Sequence, residues 1–317
     1  MRIQRIIGLT LAGVALAAAA GCGDSKTLES QGGSTSTSTD KGNVTVGGQG
    51  FTESRILAAI YQKLLESAGY TVTTKLVTTR DVYVGQLSKG SVDIVPDYLA
   101  GITDYLNTAE NGPDAELVSS NDPQATLAAL KPLAEKQGIS ILPPSDATNQ
   151  NAFFVTQKFA TDNNLTTLSD LAGLGQPIKL AAPPDCEGRS DCGVGLKDVY
   201  GIDISDFVPL EFGSAQMKAA VKSGEVQMGE TGTTDGTLAA AGFVLLEDDK
   251  GMQPAQNLTP AVNTDFLNAN PDLPAMFDKL SAALTTDDLA AMDAKVDVER
   301  QKPEDVAAQF LSDKGLT

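Results

Sequence analysis

Histidine and tryptophan are absent from this chain of 317 residues, and only three cysteines are present. Without histidine the Ser-His and Cys-His nucleophile pairs cannot form, and neither can a His-based zinc centre. An Asp/Glu pair remains available for acid–base work, but no pairing stands out from ordinary surface charge. The chain is therefore not expected to be an enzyme, and no cofactor or metal is expected. Positive charge is scarce as well: 23 Lys and Arg face 41 Asp and Glu, for a net charge of −18. That balance argues against nucleic acid as a partner and against docking on anionic lipid through a basic patch. Long apolar runs are also missing. The run Ile6–Ala20 is fifteen residues, short of the about 20 that a membrane-spanning helix needs.

That short run has a different use. Arg2 and Arg5 precede it, and the small residues Ala19-Ala20-Gly21 lead into Cys22, the pattern of a cleaved export signal. Ala19-Ala20-Gly21-Cys22 resembles a bacterial lipobox, which implies removal of residues 1–21 and acylation of Cys22 as the mature N-terminus. Two acyl chains satisfy the two-signal requirement for stable anchoring. Loss of Arg2 and Arg5 would take the net charge from −18 to −20. Residues 22–42 hold a single apolar side chain after the cysteine, Leu28, and read as a flexible tether. In an oxidising compartment Cys186 and Cys192 would close a small disulfide ring worth about 2 kcal/mol; two free buried thiols are the alternative.

From Asn43 short β-branched runs alternate with helical stretches. NVTVGG, TVTTKLVTT and VDIVPDY read as strands, and Thr52 is placed to cap a helix whose apolar face carries Ile56, Leu57, Ile60, Tyr61, Leu64 and Leu65. A second series begins near Ala152 with AFFVTQ, IKLAAPP, FVPLEF, VQMGET and FVLLEDD, separated by helices at 167–174, 193–200, 214–223 and 234–241. Thr285 with Asp288 forms a capping-box pattern, and Pro303 suits a helical first turn. This spacing implies α/β architecture built from parallel βαβ units, in two lobes with a ligand cleft between them. Pattern alone also allows a two-domain transferase or dehydrogenase. The GGQG run at 47–50 lacks both phosphate-loop spacings.

Six segments in order carry a resemblance: GGQGFTESRILAAIYQKLL, LSKGSVDIVPDYLAG, PPDCEGRSDCGVGLKDVYG, VKSGEVQMGETGTTDGTL, LLEDDKGMQPAQN and VDVERQKPEDVAAQFLSDKGL. The chain resembles the substrate-binding proteins of quaternary-amine ABC importers, the glycine betaine/choline/carnitine family. The resemblance implies a type II periplasmic-binding-protein fold with hinge crossovers. Its parts would be a first lobe over residues 43–147, a second lobe over 148–251, and a return through 252–317 to the first lobe and the C-terminal helices. It implies an extracytoplasmic, membrane-anchored monomer that captures a small solute and delivers it to a permease driven by an ATPase.

In that family a cage of tyrosines receives the ligand's quaternary ammonium, which attracts aromatic faces but donates no hydrogen bond. Tyr98, behind Asp97, matches the tyrosine of the family's PEYTG motif, and Arg189 matches the arginine of its second-lobe loop. Three further cage positions fall on Ala152, Gly232 and Gln256, which are not aromatic; a one-residue slip would bring in Phe153 or Phe154. Each lost ring removes about 1–2 kcal/mol of cation–π attraction, or roughly 3–6 kcal/mol for three. The candidate ligand-binding set is therefore Tyr98, Asp97 and Arg189, with Thr52 at a helix N-terminus, and Asn149, Asn151, Thr231 and Thr233 as polar lining. Glu53 reads as an ordinary first-turn charge, and Asp235 as a helix cap. The missing rings leave open a different polar or phenolic solute, and a sensing lipoprotein that does not transport is a second alternative.

Overall fold

The structure is a computed structural model that describes residues 41–317. The expected export signal, Cys22 and all but the end of the tether lie outside the described residues. Ten strands form two five-stranded sheets. They are β1 (Asn43–Gln49), β2 (Thr71–Val77), β3 (Ile94–Tyr98), β4 (Ile139–Ile141), β5 (Asn151–Thr156), β6 (Ile178–Ala182), β7 (Ile204–Pro209), β8 (Met228–Gly232), β9 (Phe243–Leu246) and β10 (Leu258–Asn263). The first sheet has the order β2-β1-β3-β10-β4 and the second β7-β6-β8-β5-β9. These are the same topology drawn twice: a parallel trio, then one strand running against it, then an edge strand.

The expectation of purely parallel units needs one correction in each lobe. β10 runs antiparallel to both β3 and β4, and β5 runs antiparallel to both β8 and β9. Each is the strand next to the passage between lobes, so it enters its sheet from the opposite end. Pro260 sits inside β10 although proline cannot donate to a ladder. It faces Pro96 of β3, and the Thr259 hydroxyl supplies a donor to the Leu142 carbonyl at 2.9 Å.

Apolar spacing decides which helix face is buried. In the helix Thr52–Ser67, Ile56, Leu57, Ile60, Tyr61, Leu64 and Leu65 are all in the core of the first lobe. They pack there with Phe277 and Leu280 of Leu273–Ala283, Leu289 and Met292 of Thr286–Asp297, and Phe310 and Leu311 of Pro303–Asp313. The Tyr61 ring meets Phe277 edge-on at 4.7 Å. Gly47 in β1 lies where a Cβ would come within 2.7 Å of Val92, so the glycine run serves close packing. Thr285 and Asp288 form the capping box, and Pro303 opens the last helix. Thr52, however, is not a cap. Phe51 holds that position with no side-chain bond, and the Thr52 hydroxyl donates instead to Asp297 Oδ1 at 2.8 Å. The helix expected over 234–241 is confined to Leu238–Ala241.

Two extended segments connect the sheets, between β4 and β5 and between β9 and β10. They run antiparallel and are bonded to each other: Thr148 pairs with Asn257, and the Asn149 amide donates to the Gln256 carbonyl at 3.1 Å. Such a pair can twist as a unit, as a hinge requires. In the second lobe Cys186 and Cys192 form a disulfide with a Cα–Cα distance of 5.2 Å. Both half-cystines are buried in that lobe's core with Leu196 and Met228.

Candidate ligand cleft between the two lobes

On the first-lobe side, a turn from β1 into the helix Thr52–Ser67 and the end of β3 bring Glu53 and Tyr98 together. The Tyr98 hydroxyl donates to Glu53 Oε1. Asn149 on the first connecting segment donates to the same oxygen at 3.1 Å. The helix Thr286–Asp297 adds Asp293, which shares a hydrogen bond with Glu53. Glu53 is only 3% exposed and Asp293 only 7%. Burial, and then the charges of Glu53 and Asp297, push the Asp293 carboxyl up to about 9, so it holds a proton at neutral pH. Burial and the Glu53 charge likewise hold the Tyr98 phenol well above its ordinary range. Apart from the hydrogen bond that the two carboxyls share, Glu53 Oε2 and Asp293 Oδ1 are buried without a partner, and so is Glu230 Oε2 in the second lobe.

Asp97 lies beside Tyr98 in sequence but serves a different site. Tyr83 donates to its Oδ2 at 2.5 Å, Arg80 to its Oδ1 at 3.0 Å, and the Tyr98 amide to Oδ1 at 2.7 Å. Alternation within β3 turns the two side chains to opposite faces. Asp97 thus neutralises Arg80 inside the first lobe, and its oxygens are taken.

On the second-lobe side the charged centre is Arg189, carried between the half-cystines. It reaches Asp191 Oδ1 at 2.8 Å and Glu230 Oε1 at 2.9 Å, with Asp185 at 3.7 Å. Glu230, on β8, is fully buried, and burial raises its carboxyl to about 7 although Arg189 opposes the shift. Asn151 donates to Asp191 Oδ2 at 2.9 Å. Thr231 donates to Asp235 at 2.7 Å, and Thr233 donates to the Thr148 carbonyl at 3.2 Å. Asp235 also accepts from Thr237 and Lys218. Burial acts against its ionisation, but those hydrogen bonds keep its carboxyl below the usual range.

The lobes approach each other closely near Gly236 and near Gly251. Gly236 follows Asp235 and lies against the helix Thr286–Asp297. A Cβ there would come within 2.5 Å of the Ala290 carbonyl oxygen and closer still to the Ala294 amide. Only glycine permits that approach. Elsewhere Asn121 of the first lobe donates to the Gly251 carbonyl at 2.8 Å. Beside that contact lies a cavity of about 630 Å³ lined by Asp104, Ser119, Arg189, Asp191, Pro254 and Gln256, among others.

The sequence-derived residues therefore divide into groups. Tyr98 and Asn149 converge on Glu53, with Thr52 nearby through Asp297. Arg189 and Asn151 converge on Asp191. Thr231 and Thr233 are spent on internal hydrogen bonds, and Asp97 is spent on Arg80. Phe153 and Phe154 are core residues at 1% and 0% exposure, so neither ring lines the cleft. At Gly232 a Cβ would stand 3.0 Å from Asn149 Oδ1, which fills the space a ring would need. Gln256 binds the Gly101 amide at 3.1 Å. Glu53, Asp293 and Glu230 were not singled out in the sequence. A signal for the first two exists: Glu53 is four residues before Leu57, and Asp293 four after Leu289, so each lies on the buried stripe of its helix.

A family profile described as the substrate binding domain of an ABC-type glycine betaine transport system matches residues 42–313. A glycine-betaine-binding protein of Pseudomonas aeruginosa is 30% identical over 283 residues, covering 86% of this chain and 88% of that protein. The glycine betaine-binding protein YehZ of Escherichia coli is 28% identical, covering 86% and 91%. The solved structure of apo YehZ superimposes with a TM-score of 0.73, covering 87% of this chain and 99% of that one. Among the described residues no helix is long and apolar enough to cross a membrane.

Proposed function

The chain belongs to the substrate-binding family of ABC-type glycine betaine transport systems, and from that premise we propose that it captures a small osmoprotectant-type amine (glycine betaine, choline or carnitine) between its lobes. The family binds solutes for import and is not one of enzymes. In this reading the protein works outside the cytoplasmic membrane as a monomer anchored by lipidated Cys22, and hands its solute to a permease driven by an ATPase. The profile match over residues 42–313 carries the reading. Tyr98 beside the buried Glu53 supports it chemically, because a ring face and a carboxylate together attract an organic cation.

Calorimetric titration of the full chain with glycine betaine, choline, carnitine and proline betaine tests this. Binding in the micromolar range or tighter, lost in Tyr98→Ala, is the expected result. No heat with any of the four, from folded protein, overturns the amine assignment. A second reading, a different polar or phenolic solute, is favoured by one observation: Asn149 occupies the space beside Gly232 where the family places a ring. Export and anchoring are tested separately: acylation should be lost in Cys22→Ser.

A further inference from the structure

We propose that a cavity walled by Gln253 and the end of β9 is a second ligand site, separate from the solute cleft, and that it takes a primary alkylammonium. The inference is independent of which solute the cleft binds.

The return connection borders two cavities. Met252, Pro254 and Gln256 line the one beside Arg189, whereas Gln253 lines another of about 470 Å³. Both lobes wall this second cavity: Leu168, Leu245 and Glu247 come from the second, and Asn121 and Asp287 from the first. Tyr98, Glu53 and Arg189 are not in its walls. Asn151 and Thr233 are, but their donors are spent on Asp191 and on the Thr148 carbonyl.

Gln253 is only 2% exposed. Its Nε2 donates to the Asp191 carbonyl at 2.8 Å, and this fixes the amide's orientation, because a carbonyl accepts from the nitrogen alone. Its Oε1 is thereby turned away from Asp191, and it is buried with no donor. A single water would meet that oxygen, but one water fills only about 30 Å³ of so large a space.

The charge around the cavity is of one sign. Glu247 and Asp287 are exposed, one on each lobe, and neither carboxylate has a hydrogen bond or ion pair among the described residues. Asp248, also in the wall, is committed to Tyr200, Met252 and Gln253. No Lys or Arg lines the cavity. Such a wall repels an anion and attracts a cation. A protonated primary amine on a short carbon chain answers every feature: its N–H serves Gln253, its charge the two acids, and its chain the leucines. A fully methylated ammonium lacks the N–H, and an alcohol lacks the charge.

The test titrates n-butylammonium, n-butanol and tetramethylammonium into the ¹⁵N-labelled full chain and follows amide chemical shifts. Butylammonium should move the amides of residues 245–253 saturably, and bind at least about fivefold more tightly than either comparison compound. Glu247→Gln combined with Asp287→Asn changes exposed side chains only and should weaken it by about fivefold. Gln253→Met should reduce butylammonium to the level of tetramethylammonium; if that variant does not fold, the exposed pair decides. Tyr98→Ala should bind butylammonium as the wild type does, and glycine betaine should not displace it. No saturable shift at residues 245–253, which is the result for a cavity that holds only water, overturns the inference. So does equal binding of the three compounds, or displacement by glycine betaine.

Discussion

Each lobe buries a carboxylate near the cleft, and the two lobes neutralise it in different ways. In the second lobe Glu230 has Arg189, held in place by a disulfide loop and steadied by Asp191. In the first lobe Glu53 has Asp293, another acid, and the pair is kept by a proton. A guanidinium is a permanent countercharge, so Glu230 keeps a cationic partner without a ligand, although its Oε2, like that of Glu53, is buried without a hydrogen-bond partner. A proton is a replaceable one. The comparison locates the adaptable half of the cleft in the first lobe, beside Tyr98, although Arg189 is the more conspicuous charge.

The strongest way to break this comparison is to remove the permanent countercharge. Arg189→Met leaves Glu230 fully buried without its cation, and loss of one partner of a buried pair costs about 3–5 kcal/mol. Urea unfolding should show a loss of that order, and adding Glu230→Gln should restore most of it. A loss below about 1 kcal/mol would mean that Glu230 is as content with a proton as Asp293 is, and the contrast between lobes would disappear.

Much of the fold was legible and the site was less so, for a physical reason. The strands β1, β3, β6 and β8 follow from alternation and β-branched runs, and the helix Thr52–Ser67 follows from its 3.6-residue stripe. Strand β10 was missed because Pro260 interrupts it, and its tolerance depends on Pro96 and Thr259, which are distant in sequence. The two antiparallel insertions depend on where the chain crosses between lobes, which local pattern does not encode. For the candidate site, the family motif points to Tyr98 and Arg189, which the structure sets against Glu53 and Glu230 respectively. Motif adjacency misled for Asp97, since neighbouring strand residues face opposite ways. Glu53 reads as a surface charge because acidic residues favour a helical first turn; the structure shows it buried, on the stripe it shares with Leu57 and Ile60.

A finer separation of the two carboxyl sites comes from pH. Asp293 rises from an ordinary 3.8 to about 9 in the folded protein, and Glu230 from 4.5 to about 7. In both cases the folded state holds a proton that the unfolded chain has released. Stability is therefore full below the unfolded value and declines as pH rises through the folded one. For Glu230 that decline is over by about pH 7, whereas for Asp293 it continues to about pH 9. Chemical unfolding of the ligand-free protein should show a loss of about 1–2 kcal/mol between pH 7 and pH 9. Asp293→Asn should abolish that loss, and Glu230→Gln should leave it. The opposite pattern would assign the replaceable proton to the second lobe.

The smallest expected effect concerns Thr52, whose hydroxyl spans from the start of its helix to Asp297 rather than to its own backbone. A cap and a tertiary bond predict similar single-variant losses, about 1 kcal/mol for Thr52→Val. They differ in a double-mutant cycle with Asp297→Ala. A cap leaves the two losses additive, while the observed bond predicts a coupling of about 0.5–1.5 kcal/mol. The same cycle reads the carboxyl pair, because Asp297 is one of the charges that hold the Asp293 proton. Removing Asp297 should shift the pH 7–9 decline towards lower pH, while Thr52→Val, which leaves the charge in place, should not. Thr52 thus acts on the Glu53–Asp293 pair at one remove, by holding Asp297.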